Sequence, residues 1–124
     1  VLGSESPWLE ALLLEAGAAH VTTIELGRIA SLDPRVSAVT PAELRRRFLS
    51  GGLPKFDGGA AFSSVEHAGL GRYGDLLDPW GDLHVVAKAW CLTKPGGAFF
   101  LSAPSAHRDG LFWNAHRVYG PLRW

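Results

Sequence analysis

The stretch whose reading decides the fold is Val1 to Leu26, "VLGSESPWLEALLLEAGAAHVTTIEL". Val1 and Leu2 read as the end of a buried strand that turns at Gly3. Ser6 is placed to cap a helix with Pro7 at its first position. Trp8, Leu9, Leu12 and Leu13 then make an apolar stripe at helical spacing, and Gly17 is a natural stop. "HVTTIEL" is short and β-branched, a strand ending at Glu25. Strand, glycine turn, helix and strand in this order predict a βαβ unit with parallel strands.

Further along, "RVSAV" is a weaker strand candidate. Thr40 starts a capping box, with Pro41 in the first turn and Glu43 three residues after the cap. That helix is expected to run through "RRRFL" to Gly51. "FDGGAAFSS" predicts a strand from Phe56 to Phe62, and Asp78-Pro79 resembles another cap and first turn. "DLHVVAKAWCL" puts Leu83, Val86, Trp90 and Cys91 near one helix face. "TKPGG" predicts a sharp turn and "AFFLSAP" a buried strand. The tail has no clean period. The order β-α-β-β-α-β-α-β, or regular βα alternation with a short helix after Glu25, predicts an α/β fold. Its sheet would be mostly parallel, with helices on both faces.

Composition narrows the function classes. A chain of 124 residues with 47% apolar residues fits one globular domain. Twelve basic residues balance twelve acidic ones, which argues against a nucleic-acid partner. Arg45, Arg46 and Arg47 point in different directions on a helix and read as a solvated end. The single cysteine, Cys91, excludes an internal disulfide framework and reads as a core residue. No run of about 18 apolar residues exists, so this segment is not expected to span a membrane. The absence of methionine, the opening on "VLGSES" and the close on "GPLRW" suggest a fragment truncated at both ends. Compartment and oligomeric state are therefore open, with the cytoplasm as the default.

In open parallel sheets, ligands bind beyond the carboxyl ends of the strands. That rule gathers Gly3 to Ser6, Glu25, Ser63-Ser64 and Ser102 to Pro104 on one edge. Gly3 and Ser4 would bring backbone close to a ligand, beside the free N–H groups of a helix start. Glu25 lies about 20 residues on, where a carboxylate can accept from both hydroxyls of a ribose. From Ser63 hangs "SSVEHAGLGRYGDLLDPWGD", Ser63 to Asp82, whose polar residues follow no period. Glu66 and His67 sit where a catalytic base would stand, and His exchanges protons near neutral pH. Arg72, Tyr73 and Asp75 are candidates for binding substrate, although Arg72 paired with an aspartate would instead fix the loop. Asn114, His116, Arg117 and Tyr119 form a second polar cluster, a candidate substrate lid or else a surface connection in which Trp113 and Tyr119 cover the core. Glu66, His67, Asp75, Asp78 and Asp82, with His107 or His116, also offer metal ligands, but without any fixed ligand spacing, so no metal site is assigned.

"VLGSESPWLEALLLEAGAAHVTTIE" resembles the opening of class I S-adenosyl-L-methionine-dependent methyltransferases. "KFDGGAAFSSVEH" resembles their fourth strand and "LTKPGGAFFLSAP" their turn and fifth strand. More specifically, "FSSVEHAGLGRYGDLLDPWGDL", "KPGG" and "NAHRVYGPLRW" resemble domain-of-unknown-function family 268. The resemblance covers nearly the whole chain. It implies a Rossmann-like methyltransferase fold, incomplete here, with S-adenosyl-L-methionine as cofactor and a small molecule or glycan as acceptor. The cofactor would lie along Gly3, Ser4, Glu25 and Ser63. Two departures stand out: Gly3 alone remains of the usual glycine-rich turn, and the strand at Val36 to Val39 ends in Thr40-Pro41 rather than an acid. They leave open a non-catalytic binding module with the same fold, and a metal-assisted hydrolase behind it.

Overall fold

The computed structural model describes residues 1–27, 29–53 and 55–124. The chain divides into two compact units, Val1–Pro54 and Lys55–Trp124.

In the first unit, helix α1 (Trp8–Glu15) precedes strand β1 (Val21–Ile24), and strand β2 (Val36–Val39) precedes helix α2 (Pro41–Leu49). β1 and β2 pair in parallel, Val21 opposite Val36 through Ile24 opposite Val39. The expected first strand is present only as a parallel bridge from Leu2 to Ile24. Gly3 then turns the chain with φ +69°, a conformation that costs glycine little. The helix begins at Trp8 rather than Pro7, and Pro7 at its cap has no side-chain cap bond. Thr40 does cap α2, accepting from the Glu43 N–H at 3.2 Å.

The face that α1 buries differs from the expected stripe. Glu10 and Leu14, one turn apart, are its buried residues, while Trp8 and Leu12 are exposed. Glu10 is covered because its carboxylate finds partners: it accepts from the Thr23 hydroxyl at 2.5 Å and from the Ser4 hydroxyl at 3.2 Å. A buried acid is tolerated when hydrogen-bonded in this way.

The second unit contains strand β3 (Phe56–Phe62), a 3-10 turn at Val65–His67, helix α3 (Gly81–Leu92) and strands β4 (Thr93–Ser102), β5 (Gly110–Phe112) and β6 (His116–Val118). β3 and β4 are parallel, with a register shift between Phe56 and Gly58. The "KPGG" turn lies at that irregularity, where Gly96 has φ +82° and Lys94 pairs with Asp57 at 2.6 Å. β5 and β6 form an antiparallel hairpin that the aperiodic tail did not announce. The core includes Ala60, Ala61, Val65, Leu70, Ala89 and Tyr119.

The expected Rossmann-like fold is not what forms. Among the described residues the strands make three sheets of two strands each, and no extended parallel sheet is flanked by helices. βα alternation does predict the parallel pairing of β3 and β4 across α3, while β1 and β2 pair in parallel as consecutive elements. It does not dictate that pairs join, and joining needs strands covered on both faces. β4 is instead largely exposed, with Phe100 at 71%, so "AFFLSAP" is no buried strand. Cys91 is likewise exposed rather than core. Among the described residues no helix is long and apolar enough to cross a membrane.

Candidate functional site

The loop that follows β3 is built around a closed neck. Gly69 has φ +81°, its carbonyl accepts from the Asp78 N–H at 2.9 Å, and a Cβ there would overlap the Asp78 carbonyl. A Cβ on Gly81 would in turn lie 2.7 Å from the Ala68 oxygen. Only glycine permits so close an approach. Residues 69–81 thus form a compact loop with adjoining ends.

Arg117, buried on β6, pins that neck. Its guanidinium donates to the carbonyls of Ala68 at 2.5 Å, Asp78 at 3.2 Å, Pro79 at 3.3 Å and Glu66 at 3.4 Å. The planar fork of arginine suits several acceptors at once. Two aspartates complete the loop from within. Asp75 accepts from the Gly69 N–H at 2.6 Å and the Tyr73 N–H at 3.3 Å. Asp78 accepts from the Trp80 N–H and pairs with His84 at 2.7 Å. That N–H, and then the His84 ring, hold the Asp78 carboxyl below the usual carboxylate range.

A family model described as Caenorhabditis protein of unknown function, DUF268, matches residues 1–124. The chain belongs to that family. No curated protein and no solved structure matches it. The loop and its glycine neck contain the stretch that most strongly suggested this DUF268 membership.

Two buried carboxylates flank the neck. Asp82, 1% exposed, is fully engaged. It accepts from Arg123 at 2.6 Å and 3.3 Å and from the Tyr119 hydroxyl at 3.1 Å, and Arg117 stands 3.7 Å away. Burial, then the Asp82 charge, push the Tyr119 hydroxyl well above the ordinary phenol value. Glu66, 0% exposed, is engaged on one side only. Its Oε1 accepts from the Ser63 hydroxyl at 2.7 Å, while its Oε2 has no hydrogen-bond partner among the described residues. Buried polar atoms are nearly always paired, so an orphan of this kind calls for an explanation. Ser63, exposed at the end of β3, holds φ +48°, a region that non-glycine residues visit uncommonly and that often marks functional positions.

His67 completes this corner. Its Nδ1 lies 2.5 Å from the Ala115 carbonyl oxygen. A carbonyl only accepts, so Nδ1 carries a proton and Nε2 is the free nitrogen of the neutral ring. Nε2 stands 3.9 Å from Glu66 Oε1, close enough for one hydroxyl to contact both groups. The His67 ring meets Tyr73 edge-on at 5.5 Å and His116 at 6.2 Å.

Of the sequence candidates in the second unit, Ser63, Glu66, His67, Tyr73 and His116 therefore gather in one corner. Asp75 and Arg117 sit beneath, holding the loop. Arg72 lies over the Tyr73 ring at 5.6 Å, and Asn114 is exposed at the hairpin turn. The possible metal ligands do not converge: among the described residues no three His, Cys, Asp or Glu side chains group as a metal would need. In the first unit, Ser4 and Glu25 meet directly, the Ser4 N–H donating to Glu25 Oε2 at 2.7 Å. Glu25 Oε1 accepts from the N–H groups of Leu26 at 2.6 Å and Gly27 at 3.3 Å. With one donor on Oε2, that oxygen can still accept one ribose hydroxyl.

Sequence reasoning gave Asp82 only a possible metal role and passed over Arg123 and Glu10. The apolar pattern gave no signal for the acids: Glu10 shares a helix face with Leu14 and Asp82 with Ala89, and neither Leu14 nor Ala89 lies in the stripes the sequence offers.

Proposed function

We propose that this DUF268 chain takes part in S-adenosyl-L-methionine-dependent methylation of a small molecule or glycan, with Glu66 and His67 handling the acceptor proton. The observation that carries this reading is Glu66, wholly buried with one oxygen unpartnered beside a histidine whose Nε2 is free. Support for the methyl donor is more local: the stretches that resemble methyltransferases, and the contact between Ser4 and Glu25.

Bound S-adenosyl-L-methionine would supply an electrophilic methyl group that needs no further activation. The chain's own work is then to position an acceptor and receive its proton. An acceptor hydroxyl at His67 Nε2 would pass its proton there, with Glu66 Oε1 3.9 Å from that nitrogen. The Ala115 carbonyl holds the ring for that step, and the Glu66 carboxylate stabilises the imidazolium that results. Ser63 keeps the other side of Glu66 Oε1 occupied. Glu25, through its open position on Oε2, would accept one hydroxyl of the adenosyl ribose.

The second reading, a binding module without catalysis, is favoured by one observation. The Glu25 carboxylate already carries three backbone donors, enough to serve purely as a latch between strand ends. Calorimetry of S-adenosylhomocysteine against the full-length protein separates the two. Methyl transfer predicts binding that Glu25→Ala weakens. No binding, with Glu25→Ala indistinguishable from wild type, would sink the methyltransferase reading.

A further inference from the structure

The corner around His67 has an aromatic rim that proton handling alone does not require. Register pairs Phe112 with His116 across the β5–β6 hairpin, so residues 113–115 make its turn. The Ala115 carbonyl of that turn holds His67, which brings the hairpin tip to the candidate site. Phe112 lies tilted over His116 at 5.1 Å. Phe112, Trp113 and Tyr73 are 57%, 68% and 47% exposed. Large aromatic residues clustered in water mark a recognition surface more often than a packing accident.

The chemistry around these rings selects among ligands. Aromatic faces are electronegative and attract the weakly positive C–H face of a saturated ring. Asn114, exposed in the same turn, offers an amide donor and acceptor. Arg117 is buried and taken up by the loop carbonyls, and Arg72 lies against Tyr73, which disfavours a phosphate. Flat rings and neutral hydrogen-bonding groups together suit a neutral pyranose.

We propose that the tip of the β5–β6 hairpin is a carbohydrate platform. It seats a neutral sugar ring against Tyr73, Phe112 and Trp113 and directs one ring hydroxyl to His67 and Glu66. This rests on the reading of Glu66 and His67 as the acceptor corner and narrows the acceptor to a sugar.

Saturation-transfer difference NMR on the full-length protein tests it. The probes are the methyl α-pyranosides of glucose, galactose and mannose, with catechol and adenosine monophosphate as competing ligand classes. The expected result is saturation of the C–H protons of at least one pyranoside, without any methyl donor present. Trp113→Ala should reduce its affinity about threefold or more, the size of one aromatic contact. Phe112→Ala, a second variant at an exposed position, should do likewise. Saturation of catechol or the nucleotide alone overturns the proposal, as does pyranoside binding that neither variant alters, and so does silence from every probe. S-adenosylhomocysteine binding is read separately on the same sample. Its loss with pyranoside binding intact removes the methyl donor and leaves the platform; its presence with no pyranoside binding removes the platform and leaves the donor.

Discussion

Asp82 and Glu66 are both buried carboxylates, and both lie near the neck of the same loop, yet they are treated differently. Asp82 has two arginines and a tyrosine hydroxyl around it. Glu66 has one serine, with an oxygen left unpaired. Removing an ion from water costs several kcal/mol unless partners replace the lost hydration. At Asp82 that replacement is complete, and the group serves the fold. At Glu66 it is half made, which marks a group kept available for something else. Buried charge is thus no sign of function in itself; the unfilled half of its coordination is.

The largest expected effect breaks the satisfied side. Asp82→Asn leaves Arg117 and Arg123 without their counter-ion, and should cost about 3–5 kcal/mol of unfolding free energy in urea titration. The next concerns the unsatisfied side. Glu66→Gln should lower any methyl transfer by about 100-fold, the size of losing one group aimed at charge that develops in the reaction, read as product formed per unit time at saturating acceptor. Tyr119→Phe removes one hydrogen bond to a charged group and should cost about 2 kcal/mol in the same urea titration. The smallest effect appears at high pH. The Tyr119 hydroxyl is raised in the folded protein, so its contribution is fully present below the unfolded value of about 10. That contribution is lost as pH rises from there toward the folded value. Wild type should therefore lose stability more steeply above about pH 10 than Tyr119→Phe does, in thermal melts at stepped pH.

Local chemistry was legible in the sequence. Thr40 and Pro41 announce α2 because a cap bond depends on neighbours in sequence. Phe56 to Phe62 announces β3 as a short run with a phenylalanine at each end and turn residues Ser63-Ser64 after it, although Gly58 and Gly59 weaken it. The loop's glycines and acids announce a special segment, and Glu66, His67 and Tyr73 do come together there. What was hidden is what depends on distant partners. The buried faces of α1 and α3 centre on Glu10 and Asp82, and no hydrophobic count finds them, because their burial is licensed by Thr23 and Ser4 in one case and by Arg123 and Tyr119 in the other. The β5–β6 hairpin escaped because three-residue strands are too short to show alternation. The joining of strand pairs into one sheet was over-read, since alternation of elements constrains neighbours only.

The central claim is that Glu66 is buried for a purpose other than stability. The unfolding free energy of Glu66→Gln, measured in urea beside wild type, tests it most directly. The amide keeps an oxygen to accept from Ser63 and removes a charge whose partnering is incomplete. The account predicts a change within about 1 kcal/mol of wild type, in either direction. A loss of about 3 kcal/mol or more, matching that of Asp82→Asn, would make Glu66 a structural ion like its neighbour and contradict the account.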